Sequence, residues 1–215
     1  MTFGNCRIEN IILAGAYGDK EVHLCCCVPE DANGVNIVLL HGVHSSANLG
    51  QHNKFRHLAK TLAELGYTSW LVETSRRTRC RQDYGDDISA WVEAAFSGKT
   101  FQQEQADVFA AIGEVLRCAA GASLWVWGFS LGGIIALSAA ANFDSPYGPA
   151  RPAIDGVVVS GTGLVAYPEV ESFMLELPIL STLRSTLSED MLFKVKTDSL
   201  VSFRGSEDEI FSLES

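Results

Sequence analysis

Short apolar runs recur along this sequence and alternate with segments of helical periodicity. Such runs are typical of strands buried on both faces of a parallel sheet, and amphipathic segments between them are typical of the connecting helices. The apolar runs are 36–40, 68–72, 123–128, 154–160 and 199–204, and the helical segments are 51–65, 101–119 and the stretch that follows Ser130. The alternation predicts an α/β fold with a mostly parallel, doubly wound sheet, whose ligands lie at the carboxyl ends of the strands.

The N-terminal part of the sequence has a different pattern. Residues 7–13 and 21–28 are strand-like and are joined by the turn AYGD, which predicts an antiparallel strand pair at the edge of the sheet. The 215 residues contain no internal repeat, low-complexity tract or flexible linker, so we expect a single domain over 1–215. Residues 164–197 are longer than the ~10–12 residues that a crossover helix needs and are rich in apolar side chains, which is typical of a cap insertion within that domain.

The composition disfavours several classes of function. The net charge of −10 and the isoelectric point near 4.9 disfavour binding to nucleic acid or to anionic lipid. No apolar run reaches the ~18–20 residues of a membrane span, and the N-terminus MTFGNCRIEN lacks the regions of a secretory signal. The six cysteines have no zinc-ligand spacing, and reduced thiols used as small apolar residues fit a cytoplasmic protein without a metal.

A pentapeptide of the form G-x-S-x-G occupies residues 128–132, between an apolar run and an apolar helical segment. In that setting it predicts a nucleophile elbow, a sharp strand-to-helix turn that holds Ser130 clear of the sheet. The backbone N–H of Leu131, at the start of the helix, then points toward the space in which an oxyanion would develop. Ser130 is therefore the candidate nucleophile, Leu131 a candidate oxyanion donor and Phe129 a candidate substrate contact.

A second motif, HGVHSS, begins at His41, directly after the apolar run NIVLL. Its glycine permits close backbone approach, and the N–H of Val43 is the second candidate oxyanion donor. His41 is expected to shape this loop by hydrogen bonding. His44 lies further along the loop and is a candidate for substrate contact or proton transfer.

A third motif, RGSED, occupies residues 204–208, directly after the last apolar run. A carboxylate at the end of a strand can orient a histidine and stabilise its charged form. Asp208 is the candidate for this role and Glu207 is the second candidate. A solvated acidic loop is an equal interpretation of this segment in a chain of net charge −10.

Taken in order, the HG, GFSLGG and G-x-x-D motifs resemble the α/β-hydrolase superfamily across almost the whole chain. The resemblance implies Ser130 as nucleophile, Val43 and Leu131 as oxyanion donors and Asp208 as the acid of a catalytic triad. It implies no metal and no organic cofactor, and GFSLGG is most similar to small cytoplasmic esterases, acylglycerol lipases and thioesterases. We therefore expect a serine hydrolase that cleaves a small carboxylic ester or thioester through an acyl-enzyme. The alternative is a non-catalytic protein of the same fold that binds an acyl or anionic ligand.

The histidine of the triad departs from the superfamily pattern, in which it follows the acid by a further helix and strand. All histidines of this sequence precede the nucleophile: they are His23, His41, His44, His52 and His57. Three explanations stay open: a fragment of a longer protein that supplies the histidine, replacement by a histidine of the oxyanion loop such as His44, or a fold that has lost catalysis and acts by binding. The fragment is the favoured expectation, because a sheet that ended directly after a strand would expose an edge.

An arginine cluster stands out within the polar segment 73–100. Its members are Arg76, Arg77, Arg79 and Arg81. Clustered guanidinium groups could hold a carboxylate or phosphate of the substrate. The alternative is a solvated loop in which nearby aspartates balance the charge.

Overall fold

The computed structural model describes residues 6–43, 45–143 and 153–161. Its strands are β1 (Cys6–Ala14), β2 (Glu21–Pro29), β3 (Val35–Leu40), β4 (Thr68–Glu73), β5 (Ser123–Phe129) and β6 (Gly156–Ser160). Its helices are α1 (Lys54–Glu64), α2 (Ile88–Phe96), α3 (Phe101–Cys118) and α4 (Leu131–Asn142), and a short 3-10 turn, Arg81–Tyr84, precedes α2. Among the helices in these ranges, none has the length and apolar character needed to cross a membrane.

The strands form one sheet in the order β1-β2-β4-β3-β5-β6. The β1–β2 and β2–β4 pairs are antiparallel, whereas the β4–β3, β3–β5 and β5–β6 pairs are parallel. The predicted fold class, a mostly parallel sheet with an antiparallel N-terminal strand pair, is confirmed. The register aligns Leu40 with both Val72 and Gly128, so the carboxyl ends of β3, β4 and β5 lie along one edge of the sheet. The segments that follow these three strands therefore begin side by side.

Helices cover both faces of the sheet, as the doubly wound prediction requires. Val38 and Leu40 of β3 belong to the apolar cluster that α3 and α4 cover, whereas Leu39 belongs to the cluster that α1 covers. This alternation follows from the two-residue period of a strand. Cys26 and Cys27 show the same alternation, one in each cluster, and both thiols pack as small apolar side chains.

The segment 73–100, for which the sequence predicted only a polar insertion, contains the helix α2. Asp87 caps its N-terminus by accepting a hydrogen bond from the backbone N–H of Ala90 at 2.9 Å. Trp91, Ala95 and Phe96 form a separate buried cluster, in which the two rings meet edge to face. With only nine residues, α2 is too short for its helical periodicity to separate it from a loop.

Candidate active site

Ser130 is the single residue between β5 and α4, because the strand ends at Phe129 and the helix begins at Leu131. Its backbone has φ 54° and ψ −122°, a conformation that residues with a Cβ seldom adopt. The chain is held there from two directions: the Ser130 N–H donates to the carbonyl of Ser160 at 2.9 Å, and the Ser130 carbonyl accepts from the N–H of Gly133 at 2.8 Å. The side chain is exposed at the carboxyl edge of the sheet.

The two glycines of the pentapeptide are required by close backbone approach. A Cβ at Gly128 would overlap the carbonyl group of Gly132. A Cβ at Gly132 would lie 2.5 Å from the carbonyl oxygen of His41 and 2.9 Å from that of Leu40. Because both obstacles are backbone atoms, neither position tolerates a side chain while the turn keeps this geometry.

The loop after β3 passes directly beside Ser130. A Cβ placed at Gly42 would lie 3.0 Å from the Cβ and 3.6 Å from the Oγ of Ser130. The structure therefore brings together the HG motif and the serine, which are almost ninety residues apart in the sequence. Val43 follows Gly42 in this loop, and Leu131 begins α4 on the other side of the serine.

His41 is buried and holds the loop from within. Its Nδ1 lies 2.8 Å from the carbonyl oxygen of Gly42, and since a carbonyl only accepts, Nδ1 carries the proton. Nε2 accepts from the backbone N–H of Thr74 at 3.4 Å. Burial lowers the pKa of His41, which outweighs the opposing effect of the nearby Glu104 carboxylate. The ring is therefore neutral at pH 7, and the prediction that His41 shapes the loop by hydrogen bonding agrees with these contacts.

A buried ion cluster that the sequence patterns did not predict lies next to His41. It consists of Lys99, Glu104 and Asp107, and it reaches His41 through Thr74. The signal for it was present in the helical periodicity, because Glu104 continues the apolar stripe of α3 one turn before Val108. An acid on a buried stripe predicts a buried partner, but not which residue supplies it.

Phe129 and its neighbours form an aromatic group on the α1 face of the sheet. The Phe129 ring stacks on Trp127, with centroids 5.5 Å apart, and meets Phe55 edge to face at 5.3 Å. The ammonium group of Lys54 lies 4.2 Å from the centroid of Phe129. The residue before the serine thus packs against the start of α1.

The arginines of the predicted cluster have different acidic partners. Arg76 is buried, its Nη2 lies 3.0 Å from a carboxylate oxygen of Glu73, and its guanidinium lies 4.8 Å from the centroid of Phe96. The Nε of Arg79 lies 2.8 Å from a carboxylate oxygen of Asp19. The charges of these two arginines are balanced by Glu73 at the end of β4 and by Asp19 in the turn between β1 and β2.

Several predicted residues and segments lie outside the described residues. They are His44, Glu207, Asp208, the cap 164–197 and the strand 199–204. Among the described histidines, His52 and His57 are exposed, and His23 forms a contact of 2.9 Å with Glu21. The structure therefore places Ser130, Gly42, Val43 and Leu131 at one edge of the sheet and leaves the acid and the base of a triad as predictions.

Comparison with solved structures relates this architecture to known proteins, whereas no protein-family model and no curated sequence matches the chain. The chain is similar to a lipase in its open form, with TM-score 0.57 and 15% identity, over 89% of this chain and 57% of the lipase. It is similar to a bacterial heroin esterase, with TM-score 0.56 and 17% identity, over 99% of this chain and 61% of the esterase. A carboxyl esterase from Bacillus coagulans gives a TM-score of 0.54 and 15% identity, over 83% of this chain and 51% of the esterase.

The chain thus spans between 51% and 61% of the lengths of these three structures. The likeness extends over 83% to 99% of the present chain. The fold is that of the α/β hydrolases.

Proposed function

We propose that this protein is a serine hydrolase that cleaves a small carboxylic ester or thioester through an acyl-enzyme on Ser130. The observation that carries the proposal is the backbone of Ser130, which has φ 54° at a one-residue turn between a buried strand and a helix. A residue with a Cβ costs of order 1–3 kcal/mol in such a conformation, and strain of this kind is concentrated at functional sites. The similar structures described as a lipase and as esterases support an ester as the substrate.

The proposed reaction uses the groups around the serine. Ser130 Oγ attacks the carbonyl carbon as its proton passes to a base, and the carbonyl oxygen becomes an oxyanion. The N–H groups of Val43 and Leu131 donate to that oxyanion, and the loss of one such donor typically lowers kcat by about 100–1,000-fold. Collapse of the tetrahedral intermediate expels the alcohol or thiol, which takes a proton from the conjugate acid of the base. Water then releases the acid from the acyl-enzyme by the same steps in reverse.

The base in this proposal is a histidine oriented by Asp208 and supplied by sequence that follows residue 215. His41 is unsuited to the role, because its Nδ1 proton is committed to the Gly42 carbonyl and its Nε2 faces Thr74. His44 is the alternative base. Labelling of Ser130 with a fluorophosphonate probe, in the 215-residue chain and in the complete gene product, distinguishes the two candidate bases. Only a base within the 215 residues supports labelling of both proteins.

Steady-state hydrolysis tests the proposal. The complete gene product is assayed with p-nitrophenyl esters of increasing acyl length and with a matched acyl thioester. We expect turnover, with a burst of nitrophenolate when deacylation is slow. Ser130→Ala should abolish it, whereas Ser89→Ala, a matched change in α2, should leave it unaltered.

Two results count against the proposal. Turnover that survives Ser130→Ala places the chemistry elsewhere. Retention of an acyl ligand by the wild-type protein with no turnover of any ester supports the non-catalytic binding protein instead.

A further inference from the structure

The proposed reaction gives no role to the ion cluster of Lys99, Glu104 and Asp107. Each of these side chains is almost fully buried, with relative exposures of 3%, 7% and 1%. Taking charged groups out of water is costly, and apolar residues of similar volume often stabilise a fold equally well or better. A buried charged cluster beside the oxyanion loop therefore calls for a role beyond stability.

Lys99 is the centre of the cluster. Its ammonium donates to the carbonyl of Ser75 at 2.7 Å and to the hydroxyl of Thr74 at 2.8 Å. It forms ion pairs with Glu104, at short range, and with Asp107, at 3.5 Å. Asp107 in turn accepts from backbone N–H groups, including that of Ser75 at 2.8 Å, and so ties the cluster to the main chain after β4.

Glu104 directs the cluster toward His41. Its Oε1 accepts from the hydroxyl of Thr74 at 2.9 Å and lies 3.8 Å from Nε2 of His41. Burial by itself raises the pKa of Glu104, but the Lys99 ammonium, with hydrogen bonds from Lys99 and Thr74, holds it below its ordinary value. The carboxylate is therefore charged, and its proton donor on this side is the Thr74 hydroxyl.

His41 helps to fix the direction of a peptide group beside Ser130, together with the Ser45 N–H, which donates to the same Gly42 carbonyl at 3.3 Å. With the proton on Nδ1, His41 donates to the Gly42 carbonyl. The carbonyl of Gly42 and the N–H of Val43 belong to one planar trans peptide and point in opposite directions. Anchoring the carbonyl toward His41 therefore holds the Val43 N–H pointing away from His41.

We propose that Lys99, Glu104 and Thr74 are positioning residues that hold His41 as the Nδ1–H tautomer and so aim the Val43 N–H at the oxyanion. The proposal rests on the proposed function for its catalytic consequence, but not for the tautomer itself. The Thr74 hydroxyl accepts from Lys99 and donates to Glu104. The Glu104 oxygen that faces His41 therefore has a hydrogen-bond donor without a proton on Nε2. Nε2 stays an acceptor from the Thr74 N–H, and the ring proton stays on Nδ1.

The variant that tests this is Thr74→Val, which removes the hydroxyl and keeps the shape of the side chain. Without the hydroxyl, the Glu104 oxygen that faced it loses this donor and still lies 3.8 Å from His41 Nε2, which favours the proton on Nε2 in a ring that burial keeps neutral. We expect kcat for the ester to fall by about 10–100-fold with KM changed less than about twofold, as for a misplaced catalytic group. Thr74→Ser restores the hydroxyl and should restore kcat.

Thr68→Val is the matched control, since Thr68 is also a buried threonine but lies at the start of β4, whereas Thr74 directly follows the end of that strand. A purely structural role for Thr74 predicts that both valine variants lower the melting temperature and leave kcat of the folded protein alone. Equal kcat in Thr74→Val and Thr68→Val would overturn the proposal.

The tautomer is measured separately from catalysis, by the ¹⁵N chemical shifts and two-bond couplings of the His41 ring. The wild type should show Nδ1–H, and Thr74→Val should shift the population toward Nε2–H. A wild type in the Nε2–H form contradicts the positioning proposal even if esters are hydrolysed. A wild type in the Nδ1–H form that hydrolyses no ester contradicts only the proposed function.

Discussion

The backbone strain at Ser130 gives a stability prediction whose sign is unusual. Replacing the serine by glycine removes the Cβ that makes φ 54° unfavourable, whereas replacing it by alanine keeps that Cβ. Relief of such strain is worth of order 1–3 kcal/mol. The greater freedom of glycine in the unfolded chain costs roughly 0.5–1 kcal/mol. Taken at mid-range, Ser130→Gly should therefore be more stable than Ser130→Ala by about 1 kcal/mol, within a span of about 0–2.5 kcal/mol.

Thermal denaturation measures this difference. For a chain of this size, 1 kcal/mol corresponds to roughly 2–4 °C, so Ser130→Gly should melt several degrees above Ser130→Ala. Ser89 provides the matched control, because it lies inside α2 and has no positive φ. There the order should reverse, with glycine less stable than alanine by about 1 kcal/mol. If glycine is also the less stable residue at position 130, the strain on which the proposed function depends is absent.

Three further predictions concern packing and buried charge. Gly132→Ala should prevent folding or severely destabilise the folded protein, since its Cβ would lie 2.5 Å from the His41 carbonyl oxygen. Gly113→Ala in α3 meets open space and should raise the free energy of unfolding by about 0.5–1 kcal/mol. Chemical denaturation compares the two variants. The pKa of Glu104 is lower in the folded than in the unfolded chain, so the stability that Glu104 contributes is present at neutral pH and is lost as the pH falls below about its ordinary 4.5. In denaturant titrations, the free energy of unfolding of Glu104→Gln should therefore fall less steeply with acidification than that of the wild type. Arg76→Met should lower the free energy of unfolding by about 1–3 kcal/mol, because it removes the nearer of the two arginines paired with Glu73, while kcat of the folded fraction persists. Arg81→Met, at an exposed position, should leave stability unchanged. A selective loss of turnover on anionic esters in Arg76→Met would instead make Arg76 a substrate ligand.

The parts of the fold that follow from local pattern were predicted from the sequence. Continuous apolar runs gave the parallel strands, and the setting of Ser130 between such a run and an apolar helix gave the strand-to-helix turn. These signals are local, because they depend on residues a few positions apart. The position of Gly42 beside Ser130 followed from the rule that parallel strands end at one edge of a sheet.

The buried charges were not predictable in the same way. Lys99 and Arg76 look like solvated residues of a polar segment, and their burial depends on partners supplied by other elements. Arg79 pairs with Asp19, sixty residues earlier, across the edge of the sheet. A single sequence carries no signal for such pairs. The helix α2 was missed for a related reason, since its apolar residues pack on Arg76 and on one another.

Reaction with a fluorophosphonate probe, followed by peptide mass spectrometry, is the most direct test of the assignment of Ser130 as the nucleophile. The probe reacts with a serine whose hydroxyl is activated by a base and whose adduct is stabilised by oxyanion donors. The complete gene product is labelled beside its Ser130→Ala variant. A single adduct on the peptide that contains Ser130, absent from the variant, is the predicted result. A wild-type protein that takes up no probe, or a label that persists in Ser130→Ala, contradicts the assignment.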